Sequence, residues 1–340
     1  DVYKRQTLQY STSAKTWGTT YPIKASDPIG DWNITASTKD AYDNSGSASK
    51  IISVSAAQLT VSGSSNATTY QRTQTIQVTA TVRYPNGTGM SFGSMNATVK
   101  IGASTIVRVP LTYSLVFGDW RGSYQIKSSD PIGEWTILFE ANDGYANTGS
   151  DTAAIAVTKA TLQVIVNADK SEYQRTETAQ IQAMVKYPNG SSLKPSCLAL
   201  DLCSSVRLNV TLGALVLSTQ SLQYNATIDR WVGSQKMEMD DPLGNYTFSV
   251  QARDTSDNSG TGQMMAGIVA ARFSVAVWTD KTSYNLVYDT IGIRTNATYP
   301  DGTRLTVGNL SATITSGTYL SKITLVYDSA RLTWTGSQYL

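Results

Sequence analysis

Ten of the sixteen asparagines stand in Asn-x-Ser/Thr with no proline between: Asn33, Asn66, Asn86, Asn96, Asn189, Asn209, Asn225, Asn245, Asn296 and Asn309. A carboxamide with a hydroxyl two residues on is the acceptor pattern for an N-linked sugar. Ser and Thr number 83 of 340 residues, a density at which chance alone gives about four such triplets. One alternative is that a Thr-rich β chain makes them by accident. The enrichment favours an N-glycosylated outer face, where bulky sugars solubilise and shield sheet edges. It also fits a charged fraction of only 15%, since sugar can replace charge as the solubilising layer.

A second set of oxygens sits in acidic hairpins. Asp40, Asp43 and Asn44 recur as Asp254, Asp257 and Asn258, with Asp143 and Asn147 between them. Together with the Asp-Pro turns at Asp27, Asp130, Asp240 and Asp241, these are candidate calcium ligands. Calcium takes six to eight oxygens, and each hairpin offers two or three side chains. Ala146 stands where the other copies have Asp43 and Asp257. The favoured reading is therefore a turn in which Asp or Asn bonds its own backbone, with no cofactor. Cys197 and Cys203 are the only cysteines. They are either two buried thiols or one disulfide across a tight bend, which needs an oxidising compartment.

Much chemistry is excluded. Histidine is absent, which removes imidazole bases, imidazole metal ligands and Ser-His-Asp machinery. No Gly-rich phosphate loop, HExxH or GxSxG occurs. A hydrolytic carboxylate pair should appear once, whereas the acids here recur with each repeat. Net charge is +2 with scattered basic residues, so no nucleic-acid partner is expected. No run of 18 apolar residues forms a membrane span.

The elements that position these groups are repeats. Tyr70-Gln71-Arg72-Thr73 returns as Tyr173-Gln174-Arg175-Thr176 and loosely at Tyr284. Tyr84-Pro85-Asn86-Gly87 returns as Tyr187-Pro188-Asn189-Gly190 and Tyr299-Pro300-Asp301-Gly302. Trp120, followed by Asp130-Pro131-Ile132-Gly133, is matched by Trp17 with Asp27-Pro28 and Trp231 with Asp241-Pro242. The acidic hairpins come last. Landmarks recur after 103 residues and then after 111 or 112, the size of a whole domain. Residues 58–160 and 161–271 carry all four landmarks. Residues 7–57 carry the last two and read as the back half of a domain; residues 272–340 carry the front part. Residues 1–6 match the translation of a transposase end sequence used in sequencing libraries and are set aside as a scar. Both ends of the chain then fall inside a repeat, and junctions of one to a few residues suggest stiff end-to-end stacking.

Within a repeat, Ile76, Val78, Ala80, Val82 and Tyr84 alternate with polar residues, as do Ala179, Ile181, Ala183, Val185 and Tyr187. That period of two marks half-buried strands. About seven strands per copy with regular turns predict an all-β sandwich, almost without helix, with Trp120 and Trp231 in its core.

The Tyr-Pro-Asp/Asn-Gly turn, the Trp-x-Gly, the Asp-Pro-x-Gly-x-Trp/Tyr turn and the Asp-x-x-x-Asn-x-Gly hairpin together resemble tandem Ig-like repeats. They are most similar to those of archaeal and some bacterial secreted cell-surface proteins, including S-layer-type proteins and the macroglobulin-like MG2 type. The resemblance runs from residue 7 onward and lacks the Cys–Trp–Cys pattern of antibody domains. It implies an extracellular, non-catalytic spacer, lattice former or stalk. Its partners would be neighbouring copies, other surface proteins or glycans. Two alternatives remain: a glycan- or protein-binding adhesin module, and an accessory region of a larger secreted protease.

Overall fold

The computed structural model describes residues 4–197 and 203–339; the first three residues of the predicted scar lie outside them. All regular structure among the described residues is β-strand. The chain divides into two compact units, Asp1–Lys159 and Ala160–Leu340.

In the first unit the alternation of Thr75–Arg83 buries Ile76, Val78, Ala80 and Val82 and exposes the residues between. That strand lies between Thr60–Ser65 and Asp119–Gln125, both antiparallel. On the opposite layer, Ser94–Ile101 pairs with Gly133–Asn142, which pairs with Thr148–Thr158. Thr69–Gln71 closes that layer's edge, parallel to Ala156–Thr158. The long strand Ser104–Ser114 belongs to both layers: its first part pairs with Ser94–Ile101 and its last three residues with Asp119–Arg121. The two layers thus form one bent eight-stranded sheet closed over Trp120, Trp135, Phe139 and their neighbours.

The second unit repeats this order. Gln163–Ala168, Thr178–Lys186, Arg230–Lys236 and Gln223–Asn225 make one layer. Glu172–Gln174, Ser259–Val269, Gly244–Arg253, Ser205–Leu212 and Leu215–Ser221 make the other. Here the strand that changes layers is broken at Leu222, which is buried. A separate cluster of Ile293, Ile323, Leu325 and Trp334 lies further along, under a five-stranded sheet that starts at Ser274–Thr279. Two layers with this connectivity define an Ig-like sandwich. The structure adds a strand to the expected seven, because the first strand also changes layers: after Ser65 the chain bends at Asn66 and resumes at Thr69.

Two landmarks have packing reasons. In Trp-x-Gly the tryptophan is buried, and its indole N–H donates to Met90, Leu193 or Leu305 O. The glycine leaves room for the leucine of the layer-changing strand. A Cβ on Gly122, Gly233 or Gly336 would lie 2.5, 2.5 or 2.6 Å from Leu111, Leu222 or Leu325. In Tyr-Gln-Arg-Thr, Arg72 and Arg175 Nε donate to the Asp130 and Asp241 carbonyls at 2.6 Å. Thr73 and Thr176 hold φ of 72°, a left-handed backbone rarely taken by β-branched residues. Nothing in the structure explains threonine there.

The uneven repeat length also has a place. Met90 and Met95 are five residues apart, whereas their counterparts Leu193 and Val206 are thirteen apart. That difference of eight equals the difference between the 111- and 103-residue spacings. The extra loop carries both cysteines.

Candidate functional sites

The acidic hairpins turn their oxygens toward N–H and O–H groups. Asp143 Oδ1 accepts the Tyr145 and Asn147 amides at 2.8 and 3.2 Å. Its Oδ2 accepts Asn147 Nδ2 at 2.6 Å and the Tyr84 hydroxyl at 3.1 Å. Asp254 repeats this with the Ser256 and Asn258 amides, Asn258 Nδ2 and the Tyr187 hydroxyl. Asp40 accepts the Tyr42 and Asn44 amides and Asn44 Nδ2. Asp43 and Asp257 lie at the left-handed position of the turn, as does Ala146. They pair with Lys39 and Arg253. Each carboxylate is therefore engaged with donors of its own hairpin or a neighbouring strand. Among the described residues no group of three or more metal-ligating side chains converges.

The hairpin holds the segment leading into its own repeat. The Ala57 amide donates to Asn147 Oδ1 at 2.6 Å, and the Ala160 amide to Asn258 Oδ1 at 2.8 Å. Asn147 Nδ2 also donates to Ala25 O at 3.2 Å. The first of these bonds ties residues 90 apart. The Asp-Pro turns are closed similarly: Asp130 Oδ2 accepts the Lys127 amide and the Tyr124 hydroxyl, and Asp241 Oδ2 accepts the Glu238 amide. Four residues after each proline an aromatic donates back to its carbonyl, from Trp32, Trp135 or Tyr246.

The Tyr84–Asp143 pair makes stability depend on pH at both ends. Burial acts to raise the Asp143 carboxyl, but hydrogen bonds from Asn147, Tyr145 and Tyr84 outweigh it and hold it below the ordinary 3.8. Burial, with that same bond, pushes Tyr84 from 10.0 up to about 12. A depressed acid stabilises the fold above its unfolded value and loses that contribution as pH falls. A raised phenol contributes fully below 10.0 and loses it as pH rises toward 12. The expected profile is flat between about pH 5 and pH 9 and falls on both sides. Asp143→Asn should shallow the acid limb and Tyr84→Phe the alkaline limb, read as the urea midpoint of the first unit against pH.

The sequons fall into two groups. Asn33, Asn66, Asn86, Asn189, Asn225, Asn245 and Asn309 are exposed; Asn96, Asn209 and Asn296 are half-buried within strands. Asn66 also serves the fold, since its Oδ1 accepts the Tyr70 hydroxyl and the Gln77 amide. Asp169 and Asp280 receive Tyr173 and Tyr284 in the same way. Sequence reasoning missed this pairing. Its signal was an Asn or Asp four residues before each landmark tyrosine.

Cys197 and Cys203 are bonded to each other; the five residues between them lie outside the described residues. Titration of denatured, unreduced chain should find no free thiol, and two would reject the bridge. The loop closed is short, so reduction should cost stability at the low end of about 2–4 kcal/mol.

No family model matches the sequence, and no curated protein does. Solved structures do. A tetra-tandem repeat from the extending region of a large adhesion protein is 20% identical, over 97% of this chain and 78% of that one, with TM-score 0.31. Invasin, a bacterial integrin-binding protein, is 12% identical over 82% of this chain and 54% of its own, with TM-score 0.38. Trypsin-activated alpha-2-macroglobulin from Escherichia coli is 11% identical over 84% of this chain and 22% of its own, with TM-score 0.27.

Proposed function

We propose that the chain is a non-catalytic, extracellular repeat protein of a cell surface, serving as a surface-layer element, stalk or spacer. In this reading residues 58–160 and 161–271 are separate sandwich domains, and the sequons carry glycans. One observation carries it: the acids, aromatics and glycines that recur are engaged in holding the sandwich, copy after copy. Asp143 and Asp254 clamp lead-in segments, Trp120 and Trp231 fill cores, and Gly122 and Gly233 admit a leucine. Groups committed in this way to hydrogen bonds and packing are poorly placed to turn over a substrate.

Pulling the full chain from its two ends tests the reading. Each complete copy should unfold in its own step, releasing roughly 360–390 Å of extended chain, less its folded span, at about 3.5 Å per residue. A single step for the whole chain, or hydrolytic turnover, would sink it. Calcium should not be needed, because amides and hydroxyls already fill the hairpin carboxylates. A chelator should leave the melting temperature unchanged within about 1 °C, against the several degrees that one lost ligand site is worth.

An adhesin is the second reading, and one feature favours it. Leu115, Val116 and Phe117 are exposed together at a hairpin tip where the second copy has Ala226-Thr227-Ile228. Loss of surface-protein or glycan binding on replacing these three with serine would support it.

A further inference from the structure

We propose that the Tyr-Pro-Asn-Gly turns, one per complete copy at Asn86 and Asn189, are preferred glycan-acceptor sites of the folded chain, and that the half-buried strand sequons Asn96, Asn209 and Asn296 close to transfer once the sheets form. This rests on the reading of the sequons as acceptors and narrows it to particular positions.

The turns share one geometry. The Gly87 and Gly190 amides donate to Tyr84 and Tyr187 O at 2.8 Å, and both glycines have φ of 84°. Asn86 Oδ1 then accepts two bonds from its own sequon, from Thr88 N at 3.0 Å and Thr88 Oγ1 at 2.7 Å. Asn189 Oδ1 accepts Ser191 N at 3.0 Å and Ser191 Oγ at 2.7 Å. Both asparagines are exposed at the turn, and neither Nδ2 has a partner among the described residues.

The chemistry favours this arrangement. Transfer from a lipid-phosphate-linked oligosaccharide forms the bond from Nδ2 to the sugar's C1 and breaks the C1–O bond to phosphate. The lipid phosphate leaves with the bonding pair. The Nδ2 proton passes to a carboxylate of the transferase. As that proton leaves, negative charge builds on Oδ1, and hydrogen bonds to the charged form stabilise it. The turn supplies two such bonds before any enzyme arrives and holds the amide nitrogen in solvent.

The strand sequons have neither advantage. Asn96 lies between Glu140 and Pro110 in the ladder, and Asn209 between Ser249 and Thr219. Asn296 is paired with Ala276. All three are half-buried. The Thr98 hydroxyl is directed at Glu140 Oε2, 3.5 Å away, rather than at Asn96. To reach a transferase these residues must leave the sheet.

The third turn is a natural control. Asp301 Oδ1 accepts Thr303 N at 3.0 Å and Thr303 Oγ1 at 2.6 Å, the same pair of bonds with a carboxylate in place of the acceptor amide, its Oδ2 lying 3.6 Å from Lys236 Nζ. Asp301→Asn would complete a third Asn-Gly-Ser/Thr sequon at this turn.

The test uses unglycosylated full chain, purified oligosaccharyltransferase and lipid-linked glycan, with site occupancy read by peptide mass mapping. In the folded chain, Asn86 and Asn189 should be modified at least tenfold faster than Asn96, Asn209 and Asn296. In proteolytic peptides of the same chain, the gap should shrink to within threefold. In D301N, position 301 should be modified as fast as Asn86. Equal rates at turn and strand sites of the folded chain, or an unmodified position 301 in D301N, would overturn the proposal. No transfer to any site even in peptides would instead overturn the acceptor reading on which it rests.

Discussion

Gly260→Ala should lower the stability of the 161–271 region by about 3–4 kcal/mol, although it adds one methyl group to an ordinary strand residue. Gly260 lies in Ser259–Val269, where the lead-in strand of the same copy crosses it. A Cβ there would lie 1.9 Å from Leu162 O and 2.7 Å from Leu162 C. Backbone atoms, unlike the tip of a flexible side chain, cannot swing away. Leu162 is itself held, because its amide donates to Ser259 O at 2.9 Å and its side chain is buried in the core. Relief therefore requires moving a strand, breaking that bond and opening the core beneath. Gly149 meets Leu59 O at 2.2 Å in the first unit, so Gly149→Ala should behave alike. Gly190→Ala is the control. Its φ is 84° and nothing lies within 4 Å of the added carbon, so it should cost only the left-handed penalty of about 1 kcal/mol. In scanning calorimetry of the full chain, Gly260→Ala should move one transition down by about 15 °C and leave the rest in place. A shift no larger than that of Gly190→Ala would show that the crossing is looser than it looks.

The contrast between these glycines shows what the sequence makes legible. Gly190 is recognisable in Tyr-Pro-Asn-Gly because turn chemistry is local: proline sets one angle and glycine accepts the next. The buried faces of Thr75–Arg83 and Thr178–Lys186 are readable for a similar reason, since alternation is a property of one strand. The position of Gly260 is visible through repetition, but its reason is not. What excludes a side chain is a carbonyl 98 residues away in sequence, and no local pattern encodes that approach. The same holds for Trp-x-Gly, whose glycine answers to Leu222, the residue between two other strands. The acidic hairpins lie between these cases. Their spacing suits either a cation or a turn. The direction of each oxygen depends in part on Tyr84 and Tyr187, which belong to a different landmark. Even so, an Asn four residues after each Asp was in plain view as a donor for the carboxylate.

Asn258→Ala is the second large effect, expected at about 3 kcal/mol. The side chain is fully buried and works in two directions. Its Nδ2 donates to Asp254 Oδ2 at 2.7 Å, and its Oδ1 accepts the Ala160 amide at 2.8 Å. Truncation leaves the Ala160 amide buried without its acceptor, at roughly 1–3 kcal/mol, and removes a charge-assisted bond from a buried carboxylate, at roughly 1.5–3 kcal/mol. Asp254 retains the Tyr187 hydroxyl and two backbone amides, which keeps the total below the sum. Asn258→Asp separates the two roles. An aspartate still accepts from Ala160 but sets a second negative charge 2–3 Å from Asp254, so the variant should be less stable than Asn258→Ala at pH 7 and recover as pH falls toward 4. A purely packing role for Asn258 predicts the opposite order, because Asp preserves the shape that Ala deletes. The pH dependence of the two melting temperatures therefore decides whether the hairpin is held by directed hydrogen bonds or by volume. Amide exchange at Ala160 gives an independent reading: protection there should drop at least tenfold in Asn258→Ala and largely persist in Asn258→Asp at low pH. If neither variant changes that protection, the Asp-x-x-x-Asn hairpin does not clamp the segment that leads into each repeat.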